Sequence, residues 1–414
     1  MTAPVGSSVG RIAFSHRAFS SYIFGRFFIT TALEMQSVAV GWQIYDITNR
    51  PFDLGLVGLA QFFPIILLFL VSGHATDRHD RRKLLLACYV GFGLCSALLL
   101  VVTLFDVPSV APIYVVLVLI GVVRAFNGPA GRAILPELVP LDHFENAVAW
   151  NATTFQAATI LGPTVGGVVY ALFRGPSAVY ALAMATGMVA FVALWRIQVR
   201  SKARPREELT LSAVLAGLRF IRGKRVILGS VSLDLFAVLF GGAVALLPVY
   251  AHDILNTGPW GLGMLRSAPG IGAITTAILL AHRPLRSRAG AAMLWCVAAF
   301  AVCTVIFGLS RNLVLSLVAL FLVGASDMVS VVVRSTLVQL GTPDEMRGRV
   351  NAVDMIFIGA SNELGQFESG LTAAWFGTVP AVVLGGCAAL AVTGLWAWAF
   401  PELRRAHYST VYSD

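Results

Sequence analysis

The chain has 414 residues, of which 57% are hydrophobic and 12% charged, and its mean hydropathy is +0.80, above the apolar share of soluble domains. Such a chain cannot bury its apolar surface without lipid, which excludes an ordinary soluble enzyme. The formal net charge of +9 would suit a nucleic-acid partner if gathered on one face, but its placement along the chain argues for orientation in a bilayer and against nucleic acid.

Crossing the hydrocarbon core takes about 20 mostly apolar residues per helix. Twelve such stretches are marked, at 18–45, 53–76, 83–105, 111–133, 146–173, 177–196, 225–252, 259–282, 289–309, 312–338, 349–376 and 379–400. The expected fold is all-α: twelve transmembrane helices in two pseudo-symmetric six-helix bundles. Met1 to Gly10 has no charged region followed by a short apolar stretch and cleavage site, so no signal peptide is expected and the first helix serves as the anchor.

Counting even-numbered connections and both termini as cytoplasmic gives that side Arg78, Arg81, Arg82, Lys83, Arg200, Lys202, Arg204, Arg206, Arg222, Lys224, Arg286, Arg288, Arg404 and Arg405. The opposite side receives Arg50, Arg174 and Arg311. This asymmetry predicts both termini in the cytoplasm of a multi-pass protein of a bacterial inner membrane.

The longest polar stretch, Arg196 to Lys224, divides the helices six and six. The expected organisation is an N-terminal bundle at 1–197, a cytoplasmic linker at 198–224 and a C-terminal bundle at 225–414. Within the linker, Leu209 to Ile221 alternates at helical spacing and suits either a helix along the membrane surface or a solvated tether. The halves echo each other: Leu119-Ile120-Gly121 matches Leu322-Val323-Gly324, and the same offset of 203 separates Pro140 from Pro343. Cys88 and Cys95 find a rough echo in Cys296 and Cys303. With Cys387 these cysteines all fall in helices, lack a CxxC spacing and read as small buried apolar side chains. The histidines sit near helix ends, so no metal and no cofactor is expected.

A charge near the bilayer centre costs roughly 2.5–3.5 kcal/mol, so it must face protein or a water-filled cavity. Helices three, six, nine and twelve have no charge in their interiors and read as lipid-facing supports. Helix one carries Arg26 and Glu34, helix four Arg124, helix seven Asp234, helix ten Asp327 and Arg334, and helix eleven Asp354, Glu363 and Glu368. Helices one, four, seven and ten should therefore line a polar cavity. At the offset of 203, Arg124 corresponds to Asp327, which would place opposite charges at related positions. Glu34, near the middle of its helix, is the first candidate for a proton carrier, because a carboxylate in a partly desolvated cavity can take up and release a proton. Arg266 reads as structural.

Between helices two and three lies Gly73-His74-Ala75-Thr76-Asp77-Arg78-His79-Asp80-Arg81-Arg82-Lys83, which resembles the signature loop of the major facilitator superfamily, G-x-x-x-D-R-x-G-R-R/K, with Asp80 in place of the second glycine. The resemblance implies a latch in which Asp77 meets the start of helix eleven and Arg78, Arg81 and Arg82 pair with nearby acids. The C-terminal counterpart, from His282 to Arg288, keeps basic charge but lacks the aspartate. Arg124-Ala125-Phe126-Asn127-Gly128 looks like the family's R-x-x-Q-G motif with Asn127 for glutamine, and the family's arginine there is linked to proton transfer. Gly162-Pro163-Thr164-Val165-Gly166-Gly167 is similar to the G-P-x-x-G-G motif of exporters, with Ala158 where the fuller motif has another glycine. Glycines there let helix backbones approach and Pro163 breaks a helical hydrogen bond.

Within the superfamily the chain most resembles the enterobactin-exporter-like branch, on Gly41 to Tyr45, Gly263 to Pro269 and Phe357 to Gly365. The resemblance implies a monomeric secondary transporter that exports a small molecule, siderophore-like or drug-like. No P-loop is present, so an ion gradient is the expected energy source, with protons first. Glu34, Asp234 and Arg124 are the expected coupling residues, and Arg26, Asn127, Asp327, Arg334 and Glu363 are expected to contact substrate. Competing readings are a lipid or lysophospholipid flippase and a small-solute importer or transceptor of the same fold. The sequence has no G-x-S-x-G, HExxH or paired cytosolic carboxylates to support an enzyme.

Overall fold

The computed structural model describes residues 9–106, 109–197, 211–283 and 289–406, which contain helices and turns but no strand. A 3-10 turn, Val9–Ser15, leads into α1 (Arg17–Thr48), followed by α2 (Pro51–Leu67), α3 (Phe69–Arg78), α4 (Arg81–Leu104) and α5 (Ala111–Leu138). Next come α6 (Phe144–Phe173), α7 (Ser177–Trp195), α8 (Leu211–Gly223) and α9 (Arg225–Gly241). A 3-10 turn at Ala243–Leu246, the three-residue α10 (Leu247–Val249) and a π-turn at Tyr250–Ile254 lead to α11 (Gly258–His282) and α12 (Ala289–Leu309). The chain continues through α13 (Leu313–Leu340), α14 (Asp344–Phe376), α15 (Thr378–Ala399) and α16 (Pro401–Arg405).

Among the described residues, nine helical spans are long and apolar enough to cross a membrane, and α2 with α3 is a further one bent by 54°. The remaining long helices, α1 and α14, have 32 and 33 residues and carry polar as well as charged residues in their interiors, so they are less apolar than the nine. Each stretch marked from the sequence coincides with one of these helices, and 289–309 does so to the residue.

Two helices expected to be continuous are broken. Pro64, lacking an N–H, removes one rung of the backbone ladder a turn before α2 gives way at Leu68. The seventh stretch is one apolar span, Arg225–Ile254, but its α-helical ladder is interrupted at Gly242, where a 3-10 turn, α10 and a π-turn take over. The pair Gly241-Gly242 is a poor helix former, and Pro248 cannot continue the ladder beyond it. Gly241 also has a steric reason: a Cβ there would lie 2.3 Å from Cε1 of Phe300.

The chain divides into two compact units, Met1–Val40 with Phe63–Glu208, and Gly41–Phe62 with Leu209–Asp414. In the first, α4 packs on α5 and α7. In the second, α13 packs on α11 and α12, while α9 packs on α14 and α15. A buried cluster containing Leu233, Met293, Val297, Val333, Leu337 and Leu403 joins α9, α12, α13 and α16. Outward, Val90, Leu94, Leu98 and Val101 make an exposed apolar stripe along α4 that only lipid would cover favourably.

The linker segment Leu211–Gly223 is a helix seated on α14. Ile221 is buried with Ile227, Val350 and Val353, and a Cβ on Gly217 would lie 2.6 Å from the Arg349 carbonyl oxygen. Arg200, Lys202, Arg204, Arg206, Arg286 and Arg288 lie outside the described residues. The expectation of uniformly buried cysteines fails at Cys387, which is exposed, and in part at Cys296. Cys387 sits on a helix face turned outward, where a thiol serves as one more apolar surface group.

Candidate functional site

In the second unit, α9, α11, α12, α13 and α14 enclose a cavity of about 220 Å³. Its charged lining comes from Asp234 on α9 and from Asp327 and Arg334 on α13, with Asn362 of α14 on another wall. Phe300, Thr304 and Phe307 of α12 also line it. Helix nine of the sequence reading thus has two faces: these three residues recur every three or four positions and share one that turns inward, whereas Trp295, Val302 and Ile306 on the other are exposed, as a lipid-facing support requires.

Arg334 is the centre of the charge arrangement. Its Nε lies 3.5 Å from Oδ2 of Asp234, its Nη1 donates to Oδ1 of Asp354 on α14, and the three side chains are 4%, 8% and 15% exposed. The planar guanidinium offers several donors in a fixed fork, so one arginine ties α13 to both α9 and α14. Asp327, seven residues earlier on the same helix, shares the cavity, and among the described residues no hydrogen bond or ion pair reaches it. Beside it, Ser330 is 2% exposed and its hydroxyl has no partner among the described residues. The structure thus brings Asp234, Asp327 and Arg334 together and adds Asp354, which the sequence had marked as a helix-eleven charge but not as the partner of Arg334.

Glu363 lies elsewhere on α14: Gln366 Nε2 donates to its Oε2 at 3.1 Å, and a Cβ on Gly58 of α2 would come 3.2 Å from that oxygen. No motif in the sequence pointed to a cluster where α1 ends. There the Tyr45 hydroxyl donates to Oδ2 of Asp253, and the His252 ring lies 5.3 Å from that of Trp42.

In the first unit, Glu34 sits on α1 against the glycines of α6. A Cβ on Gly162 would lie 2.5 Å from Cβ of Glu34 and 3.1 Å from the Thr31 carbonyl oxygen, and one on Gly166 would meet Met35 Cα at 2.8 Å. Gly162, Pro163, Gly166 and Gly167 are all buried. The motif therefore permits α1 and α6 to approach at the turn that carries the carboxylate. Arg26 is held one face away: its Nη1 donates to the Tyr22 hydroxyl at 3.2 Å, that hydroxyl donates to the Gly131 carbonyl at 2.9 Å, and the guanidinium carbon stands 5.8 Å from the Phe155 ring centre. Arg124 and Asn127 are half-buried on α5, three positions apart and so on one face.

The signature loop joins α3 to α4. Gly73 is buried in the middle of α3, Asp77 is half-buried and Arg78 exposed. Asp80, the departure from the family pattern, caps α4, its Oδ1 accepting from the backbone N–H of Arg82 at 2.9 Å and of Lys83 at 3.2 Å. Arg81 is buried, pairs with Glu137 of α5 and donates to the Ala133 carbonyl at 3.1 Å. Arg82 donates to the Trp195 carbonyl at the end of α7. One loop thus pins α3, α4, α5 and α7 at one end of the unit.

A family model described as "Transmembrane secretion effector" matches residues 12–410. Curated relatives include the enterobactin exporters EntS of Shigella boydii serotype 18 and Escherichia coli O139:H28, each 27% identical over 344 residues that cover 82% of this chain and 81% of theirs. Among solved structures, a bacterial homologue of the human lysosomal transporter Spinster, inward-facing and occupied, superposes with a TM-score of 0.72 at 13% identity over 97% of this chain and 100% of its own. A D-xylose–proton symporter does so with a TM-score of 0.67 at 16% identity, over 97% and 100%. At such identities the structural likeness concerns the fold.

Proposed function

Because the chain belongs to the transmembrane secretion effector family of the major facilitator superfamily, we propose that it exports a small molecule across the bacterial inner membrane by alternating access, in exchange for protons. The observation that carries this reading is the seating of Glu34 directly against Gly162 of the G-P-x-x-G-G segment. A seam that tight leaves no slack, so charging or neutralising the carboxylate beside it changes the fit of α1 on α6. That is how a proton could bias a helix packing between two states.

Relatives named as enterobactin exporters support the outward direction and a siderophore-like or drug-like cargo. In this reading both termini are cytoplasmic and the working unit is a monomer. Glu34 carries the proton, with Arg124 and Asp234 as its partners in coupling. Arg26 and Asn127 in the first unit, and Asp327, Arg334 and Glu363 in the second, offer polar contacts to cargo. The signature loop, from Gly73 to Arg82, and the α6 glycines act in gating.

The test is the full chain in vesicles loaded with a pH-sensitive dye, challenged with candidate solutes, against Glu34→Gln and empty vesicles. Solute-dependent proton movement that disappears in Glu34→Gln is the expected outcome. Solute crossing with no proton movement in either protein overturns the coupling and brings a facilitator or flippase reading forward.

A further inference from the structure

We infer that the cavity of the second unit receives a cationic group, so that the cargo carries a protonated or quaternary ammonium which pairs with Asp327. The inference rests on the export reading only for the word cargo; the binding site itself stands on the cavity.

Charge balance comes first. Asp234, Asp327 and Asp354 lie in or beside the cavity, and Arg334 is the one base among its described lining. Arg334 is already engaged by Asp234 and Asp354. Asp327 is left facing the open space with no hydrogen bond or ion pair among the described residues. Ionisable groups inside a membrane bundle pair with one another or mark the path of something that enters, and the group that would pair with an ionised Asp327 is positive.

Three further features favour a cation. First, the α-helical ladder of α9 ends at Gly241, which lines the cavity, and carbonyls at such an end have no i→i+4 partner to compete with a cation. Second, Phe300 and Phe307 line the same space, and an aromatic face attracts a cation that an anion would not gain from. The 2.3 Å clash that a Cβ on Gly241 would make with Phe300 shows that this glycine is what lets the ring lie against α9. Third, the unpartnered hydroxyl of Ser330 lines a small recess of about 10 Å³ together with Asp234 and Asp327. That is room for about one water, which could bridge the carboxylates and the incoming group. A volume of about 220 Å³ holds an arylalkyl ammonium head rather than a whole large cargo. A carboxylate or sulfonate in the same place would meet Asp327 with like charge.

The experiment measures binding to the full chain in nanodiscs with three isosteric probes: benzyltrimethylammonium, neutral neopentylbenzene and anionic benzylsulfonate. The permanent charges keep probe protonation out of the result. The cation should bind at least about tenfold more tightly than either of the others. Asp327→Asn should remove that preference, whereas Asp327→Glu should retain it. Should Asp327→Asn fail to fold, Phe300→Leu provides the second arm and should weaken the cation alone. Equal binding of the three probes by the wild type, or cation affinity unchanged in Asp327→Asn, overturns the inference. Asp327-dependent cation binding without solute-driven proton movement leaves the inference standing and removes proton coupling. Proton movement driven by other solutes, with no cation preference, does the reverse.

Discussion

Gly324 of α13 is a position where one added methyl group should matter. A Cβ built there would lie 1.9 Å from the carbonyl oxygen of Pro269 on α11, and the reciprocal Cβ on Gly272 would lie 1.9 Å from that of Phe321. Ordinary contact begins at 3.4 Å, so the two helices would have to part by about 1.5 Å. The obstacle is backbone on both sides, which cannot swing away as a side chain does. Overpacking of this kind costs about 1–3 kcal/mol, while alanine recovers about 0.8–1.0 kcal/mol of helix propensity. Gly324→Ala should therefore lose up to about 2 kcal/mol of stability. Gly93 of α4 supplies the control: nothing lies within 4 Å of its Cβ position, so Gly93→Ala keeps only the propensity gain. Thermal unfolding of the purified full chain, followed by tryptophan fluorescence in one detergent, should place Gly324→Ala below the wild type and Gly93→Ala at or above it. Equal melting temperatures for the two variants would refute the argument that α11 and α13 are held in backbone contact through these glycines.

Two further outcomes follow from the loop between α3 and α4. Arg81→Ala should cost about 3–5 kcal/mol, because Glu137, its side chain 15% exposed, would lose the buried cation it pairs with. The double variant with Glu137→Ala should recover part of that loss, and a thermal double-mutant cycle checks it. Asp80→Ala should cost about 1 kcal/mol by removing the cap of α4, whereas Asp80→Gly, the residue of the family pattern, should cost only a few tenths. Faster amide hydrogen exchange at Arg82 and Lys83 in the alanine variant, and a smaller change in the glycine one, is the measurement.

The membrane helices were legible because their signal is local. About 20 apolar residues in a row must cross lipid as a helix, whatever the rest of the chain does. The signature loop and the α6 glycines were legible for a similar reason, since their residue types and spacing carry their use. The helix breaks were harder. Gly241-Gly242 and Pro248 stand in plain view, but the same residues occur within unbroken helices, as Pro163 does in α6.

The candidate site was half visible. Counting charges in apolar stretches picked out Asp234, Asp327, Arg334 and Asp354 without telling which would pair. It missed the inner face of α12, whose lack of charge suggested only a lipid-facing support although Phe300, Thr304 and Phe307 line the cavity. Sequence by itself determined that this chain lives in a bilayer, where its helices run and which charged groups demand an explanation. Tertiary structure alone decided that Arg334 is shared between Asp234 and Asp354, that Asp327 is left facing open space, and that Glu34 rests against Gly162. The physical reason is that hydropathy sums along the chain, whereas pairing depends on how each helix is rotated about its axis. That rotation is set by contacts such as Gly324 on Pro269, between residues 55 positions apart in the sequence.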